Sequence, residues 1–294
     1  MSPPLAPLLM WAGGKSRLLR RYAPLMPADD TFSAYVEPFL GGGALFAFLR
    51  STRAAVPVHL GDCNIELMAL YQAVRDQPHA LLEHLAPLEA GWARRGHAER
   101  KIWYYELRER YWTVPGAEHD VASAAMLLFL VKTGFNGIWQ TCLRSGGRYA
   151  TPIGLANQRG AVVDRDRLLA WSTALSGVVL AAQSYERTEV PVGAWVFADP
   201  PYRGGFTTYA TAFDDAAQMR LVAWCRETAR ARGALVWLSN RETGDGFWGT
   251  HAADAQCHAF SVTYTAGRRK RVEGGFEAKA AQEILLIWDG RAAC

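Results

Sequence analysis

Apolar and polar positions follow two different rhythms along this chain. Short apolar runs bounded by glycine, proline or acid read as strands at Ala34 to Val36, Val56 to Leu60, Val178 to Ala181, Ala194 to Ala198 and Ala234 to Leu238, the first and fourth of them buried. Apolar residues at helical spacing predict helices at Lys15 to Leu25, Ala44 to Leu49, Ile65 to Val74 and Asp215 to Arg232. Strand, glycine-rich turn, helix, strand is the opening of a doubly wound, Rossmann-like α/β sheet. Ala259 to Thr265 and Glu283 to Trp288 predict a terminal antiparallel pair. From about Gln77 to Gly160 the texture changes. His79 to Leu88, Glu99 to Trp112 and Asp120 to Lys132 read as helices, followed by a glycine- and polar-rich stretch, Gly134 to Gly154, that reads as a β-hairpin or long loop. The expected organisation is one α/β domain, 1–76 and 161–294, interrupted by a mostly helical insertion, 77–160, that ends in a hairpin at 134–154.

Composition narrows the class. With 294 residues, 50% hydrophobic and 20% charged, the chain can bury a large core and is not disordered. No stretch reaches the roughly 18 uncharged apolar residues of a membrane span, so no membrane partner is expected. Met1 to Met10 has no basic leader and no small-residue cleavage site, so no signal peptide is expected. Cys63, Cys142, Cys225, Cys257 and Cys294 are scattered, with no C-x-x-C. That spacing predicts neither a disulfide framework nor a metal site, and a reducing cytoplasm. A net charge of +4 is compatible with nucleic acid without indicating it.

Two turns carry candidate chemistry. Gly41-Gly42-Gly43 follows a strand and lets backbone approach a ligand, although a strand-to-helix turn also needs flexible residues. Phe46 stands where the dinucleotide fingerprint has its third glycine, which disfavours nicotinamide and flavin. The turn opens on an acid, Glu37, and Asp62 ends the next strand, where an acid can accept from ribose hydroxyls. Acids at two adjacent strand ends suit a nucleoside with a cationic head better than a pyrophosphate. The second turn, Asp199-Pro200-Pro201-Tyr202, follows the strand Ala194 to Ala198 at the edge where open α/β sheets bind ligands. Its prolines fix φ and remove two donors. The Asp199 carboxylate and the Pro200 carbonyl can accept both protons of an exocyclic amine, which localises the nitrogen lone pair. Tyr202 can stack on a base.

With these residues in view, the chain resembles the Dam-type (D12 class) DNA adenine-N6 methyltransferases. The resemblance rests on Trp11-Ala12-Gly13-Gly14-Lys15, Glu37 to Gly43, Asp62-Cys63-Asn64, Thr133 to Gly137, Tyr149 to Gly154, Gln183-Ser184-Tyr185, Asp199 to Tyr202 and Leu238-Ser239-Asn240, in the family's order. It implies a methyltransferase sheet, S-adenosylmethionine as cofactor, duplex DNA as partner and a target-recognition insertion between the two turns. It implies direct, in-line methyl transfer to adenine N6 of a base turned out of the duplex. Trp11, Ala12, Gly13, Gly14 and Lys15 would close over the methionine part of the cofactor. Glu37, Phe39, Gly41 and Gly43 would form the cofactor turn. Asp62 and Cys63 would meet the ribose side, and Ser184 and Tyr185 the cofactor adenine. Asp199, Pro200 and Tyr202 would be catalytic.

For DNA, the resemblance points to Met10, Asn136, Trp139 and Gln140. Arg94, Arg95, Arg100, Lys101, Arg108 and Arg110 interleave with Trp92, Trp103, Tyr104, Tyr105, Tyr111 and Trp112. That pattern suits phosphate contact and stacking, and equally a solvated helix with an aromatic core face. Arg144 and Arg148 flank Gly146-Gly147 at a hairpin tip that could enter a groove, and Arg268, Arg269, Lys270 and Arg271 form a second phosphate candidate. Cytosine-N4 methylation and a non-catalytic DNA-binding protein of the same fold are the rival readings; Asp199 and Tyr202 favour an adenine enzyme. A monomer or a homodimer could serve a palindromic site. Members that methylate GATC usually have lysine at the place of Met10 and arginine at that of Gln140. Both changes remove guanine readers, and glutamine prefers adenine edges. Methylome sequencing in a methylation-free host is therefore expected to show a target other than GATC, and methylation confined to GATC would contradict it.

Overall fold

A computed structural model describes residues 5–11, 15, 18–53, 56–114, 120–154, 162–204, 213–264, 270–272, 275–277 and 279–293. Its centre is a seven-stranded sheet in the order β3-β2-β1-β4-β5-β9-β6. The strands are β1 (Tyr35–Glu37), β2 (Val58–Asp62), β3 (Val179–Ala182), β4 (Trp195–Ala198), β5 (Leu235–Arg241), β6 (Gln256–Tyr264) and β9 (Lys279–Asp289). A separate antiparallel pair is formed by β7 (Lys270–Val272) and β8 (Gly275–Glu277). β3, β2, β1, β4 and β5 run parallel, and β9 pairs antiparallel with both β5 and β6. From β1 the chain moves outward to β2 and β3; from β4 it moves outward the other way. The crevice between β1 and β4 is therefore a topological switch point, where open sheets bind ligands.

Strand alternation explains the two cores. Tyr35, Trp195, Phe197, Trp237, Leu285 and Ile287 face one side, while Val36, Val196, Ala198, Val236, Leu238 and Leu286 face the other. The bulky side packs under helices α2 (Ala44–Thr52), α3 (Ile65–Asp76), α4 (Pro78–Ala93), α5 (His97–Thr113), α6 (Val121–Thr133) and α7 (Arg165–Leu175). The other side is covered by α8 (Asp215–Arg232) and α9 (Phe247–His251). Short polar side chains start several of these helices. Asn64 accepts from Leu67 N, Asp120 from Ser123 N, Asp164 from Arg167 N and Asp214 from Ala217 N. α6 is buried on nearly every side, so its apolar run is a core helix laid against α3, α4 and α5. Its residues join the same apolar cluster as Val58 and Leu60, so α4 to α6 share the sheet's core and do not close a core of their own.

Some expected elements differ. Of Lys15 to Leu25, Lys15 is in 3-10 conformation and buried, α1 (Leu19–Tyr22) and a 3-10 turn at Ala23–Leu25 follow, and residues 16–17 lie outside the described residues; α1 has no side-chain cap and Pro24 lies within the 3-10 turn. Gly134 to Gly154 is a loop closed by two isolated bridges, Gly134 with Ile153 and Thr141 with Tyr149, and not a regular hairpin. Left-handed backbone at Asn136, Gly137, Gly146 and Gly147 interrupts any ladder. β2 continues through Gly61 and Asp62, which places Asp62 inside the strand end. The pattern gave no sign of α7, α9, β7 or β8. Ala12, Gly13, Gly14, Arg268 and Arg269 lie outside the described residues, and of Lys270 and Arg271 only the backbone, in β7, is described.

Trp237 is fully buried, edge-on to Trp195 at 5.1 Å and to Tyr22 at 6.2 Å. Trp237→Ala is expected to destabilise the fold by about 3–5 kcal/mol, read as a lowered urea midpoint.

Candidate active site

The C-terminal edge of the parallel strands gathers acids. Glu37 ends β1, Asp62 ends β2 and Asp199 follows β4 directly. Glu37 is buried and accepts a hydrogen bond from Tyr35 Oη at 2.8 Å. Loss of water pushes its carboxyl up from 4.5 to about 8, with the Asp199 charge adding to the rise and the Tyr35 hydroxyl opposing it. Asp62 is also raised by burial, while backbone N–H groups hold it down. Asp62 Oδ2 accepts from Gly41 N at 3.0 Å and Oδ1 from Asn64 N at 2.9 Å, so this acid ties the glycine turn to β2. Tyr71 Oη donates to the Gly41 carbonyl at 3.0 Å.

The glycine turn is tight for a steric reason. Gly41 and Gly43 have φ of +47° and +64°. A Cβ on Gly41 would stand 2.8 Å from the Trp11 indole nitrogen, and one on Gly43 2.7 Å from the Trp171 ring. Trp11 thus lies on the turn, and its ring also packs on Trp139 at 5.5 Å. On the other side Phe39 stacks on Tyr185 at 5.3 Å. Ser184 caps the short turn at Tyr185 and Cys63 is exposed beyond β2.

Asp199 does not stand alone. The Lys15 ammonium lies 2.6 Å from Oδ1 and 2.7 Å from Oδ2, and 4.6 Å over the Tyr202 ring. Burial raises the Asp199 carboxyl to about 6; Lys15 opposes the rise and Glu283 adds to it. The turn is then locked from below. Tyr202 Oη donates to Glu283 Oε2 at 2.7 Å and shares a hydrogen bond with Ser239 Oγ at 2.7 Å; Ser239 in turn meets Tyr22 Oη at 3.2 Å. Gln218 Nε2 donates to the Pro201 carbonyl, Asn240 Nδ2 donates to Gln218 Oε1, and Asn240 Oδ1 accepts from Arg203 N. Arg203 is fixed by Asp215, Thr243 and Asp245 over the Phe247 ring.

Gln218, Ser239, Asn240 and Glu283 have no site role in the sequence reading. Their signal is polarity in buried positions: a glutamine on the inner face of α8, and polar ends on strands otherwise apolar. Lys15, read beside the methionine part of a cofactor, is placed by the structure on Asp199.

The residues read for DNA separate into two groups. Met10 is 57% exposed, Asn136 is exposed in left-handed backbone, and Gln140 is half-buried, its backbone paired with Ala150. Arg94 is exposed, and the Arg144 side chain is 76% exposed, paired with Glu109 at 2.8 Å on the surface and lying 5.8 Å over the Trp112 ring. Trp139 is buried against Trp11 and Tyr149. Arg148 is turned inward. It pairs with Glu66 at 3.1 Å, lies over Tyr111 at 4.4 Å and donates to the Trp112 and Val114 carbonyls. Arg95 stacks on Trp103, Arg100 on Trp92, and Arg108 on Tyr105 and Trp112. The interleaved arginines and aromatics of α4 and α5 therefore pack largely on one another.

A family model described as D12 class N6 adenine-specific DNA methyltransferase matches residues 11–264. The chain is 30% identical over 252 residues to a type II methyltransferase, M.MjaIII, of Methanocaldococcus jannaschii, covering 82% of this chain and 86% of that protein. It is 23% identical over 291 residues to the Retron Ec67 DNA adenine methylase of Escherichia coli, covering 98% and 93% of the two chains. With the DNA adenine methylase of Haemophilus influenzae it shares 25% identity over 244 residues, 81% of this chain and 80% of the relative.

The raised Glu37 carboxyl has a consequence for stability. A folded-state value of about 8 against an ordinary 4.5 means that the folded chain holds this proton more tightly. The contribution is full at low pH and is lost as pH rises through about 8. Glu37→Gln keeps an acceptor for Tyr35 and cannot ionise. Its Tm advantage over the parent chain is expected to grow from pH 5 to pH 8, reaching about 2 °C or more by calorimetry.

Proposed function

The chain belongs to the D12 class of N6 adenine-specific DNA methyltransferases, and on that premise we propose how its own residues carry out the reaction. It is an adenine-specific DNA methyltransferase. The methyl donor in this reading is S-adenosylmethionine, and the residues at the sheet edge fit it chemically. Glu37 suits the ammonium of its methionine part, Asp62 its ribose hydroxyls, and the Phe39–Tyr185 pair its adenine. Trp11, Ala12, Gly13, Gly14, Gly41, Gly43, Cys63 and Ser184 complete the donor side. When bound, S-adenosylmethionine supplies a methyl group on a sulfonium; the remaining work falls to the chain.

Asp199, Pro200 and Tyr202 are the acceptor side. Above about pH 6 the Asp199 carboxylate is ionised and can only accept, so it takes N–H bonds from the adenine amine. The Pro200 carbonyl takes the second proton. With both protons engaged the nitrogen lone pair is drawn out of the ring and directed at the methyl group. Tyr202 offers its ring to the base face. Gln218, Asn240, Ser239 and Glu283 hold the turn still, and much of the rate comes from that positioning. A base in a duplex cannot reach a buried carboxylate, so the target adenine leaves the stack.

Residues 77–160, with the loop 134–154, serve as the target-recognition part, set into the catalytic domain formed by 1–76 and 161–294. Met10, Asn136 and Gln140 are the base-side candidates; Arg94, Arg144 and the Arg268 to Arg271 segment take phosphates. The observation that carries the reading is the Asp199 to Tyr202 turn, clamped at the switch point beside the two acids of the donor side. Asp199→Ala is expected to lower methylation of duplex DNA by about a thousandfold or more while leaving DNA affinity within about threefold. Tritium transfer from labelled donor and a gel-shift titration measure the two; undiminished methylation would refute the mechanism.

A further inference from the structure

The acceptor site is filled in this structure by a side chain of the protein itself. The Lys15 ammonium stands 2.6 Å and 2.7 Å from the two Asp199 oxygens and 4.6 Å from the centre of the Tyr202 ring. These are the two groups that an adenine amine and its ring would engage. One carboxylate edge and one ring face cannot serve both partners. We propose that Lys15 is a placeholder for the target amine, holding the acceptor site until the positive charge of the methyl donor displaces it. The inference rests on the acceptor roles given above to Asp199 and Tyr202.

Burial and charge balance carry the argument. Lys15 is 4% exposed, so its ammonium has given up water and needs an anionic partner. Asp199 in a free protein has the mirror-image requirement. A contact between them satisfies both, and it keeps the acceptor site closed to other donors. Three further groups bear on this pair. Glu37, pushed up to about 8, is mostly neutral at pH 7 and feels both Asp199 and Lys15. Tyr35 occupies Glu37 on its far side, and Glu283 lies behind Tyr202, 2.7 Å from its hydroxyl. The site at rest is thus close to one ammonium against one carboxylate, with Glu283 set back. S-adenosylmethionine carries a sulfonium, an ammonium and one carboxylate, a net positive charge. Beside it, Lys15 becomes one cation too many in a poorly screened site, and repulsion loosens its hold. Asp199 is then released to the amine. Lys15 would make base entry follow donor entry.

The test uses the full chain and a duplex that keeps the target adenine, with its exocyclic amine, and carries 2-aminopurine as the neighbouring base, whose fluorescence rises when the target leaves the stack. Two donor analogues are compared at saturation. Sinefungin carries an ammonium near the place of the sulfonium, whereas S-adenosylhomocysteine is neutral there. In the wild-type protein the flipped fraction is expected to be about tenfold higher with sinefungin. In Lys15→Met it should be high with either analogue and with none. Lys15→Gln, which stays polar, gives a second neutral variant should the methionine one fail to fold, and the wild-type comparison needs no variant. Equal signals with the two analogues in the wild type, or a difference that survives in the neutral variants, would overturn the placeholder role. Methylation of the unsubstituted duplex is scored in parallel. Its absence in the wild type would overturn the underlying reading of the turn, and this inference with it.

Discussion

A carboxylate fixed at the end of a buried parallel strand is the constraint on which this structure turns. In the proposed reaction Asp199 is dry enough to meet an uncharged amine closely, yet ionised enough to accept from it. Burial alone would protonate it. In the resting site Lys15 beside it works against that, and the outcome there is a carboxyl near 6 that is ionised at neutral pH. Everything beneath the turn serves the same end. Gln218 and Asn240 bind its backbone, Ser239 and Glu283 bind the phenol of Tyr202, and each of these polar side chains is itself buried and hydrogen-bonded. A network satisfied at every step is rigid because each member has no cheaper place to go.

The glycine turn and the 134–154 loop are joined through the N-terminal segment. Trp11 is pressed between Gly41 and Gly42 on one face and Trp139 on the other, and Gly137 leaves room for the Met10 backbone. Glu66 adds a second tie. It sits in α3, just after the Asp62 strand end, and holds Tyr111 of α5 together with Arg148 and the Tyr149 N–H of the 134–154 loop. The glycine turn, the 134–154 loop and helices α4 to α6 thus share residues and one core. This common core is why a loop with only isolated bridges can hold a defined shape.

Much of this was legible in the residues. Each strand of the sheet was expected within a few positions; β1, β4 and β5 are buried parallel strands that read as short apolar runs closed by glycine, proline or acid, while β3 is an exposed edge strand and β6 and β9 are antiparallel. α8 was expected at its observed limits, since it lies between Asp214 and Gly233, both of which have strong local preferences. The two turns that carry chemistry stood out by composition. Elements decided by partners were less legible. α7 and the shortened α1 have weak periodicity, and the 134–154 loop follows left-handed residues and side-chain clamps that no pattern announces.

The sequence by itself determined the sheet, the order of the motifs and the acids at three strand ends. Local rules of burial, capping and turn chemistry act over a few residues, and they suffice for these. Only the tertiary structure decided which charges meet. It set Lys15 on Asp199 across 184 positions of chain and Glu283 under Tyr202 across 81, and it turned Arg148 and Trp139 inward while leaving Arg144 outside. An arginine at a loop tip reads the same whether it faces a phosphate or a buried glutamate. The distinction comes from desolvation and pairing, which exist only once distant segments have been packed together.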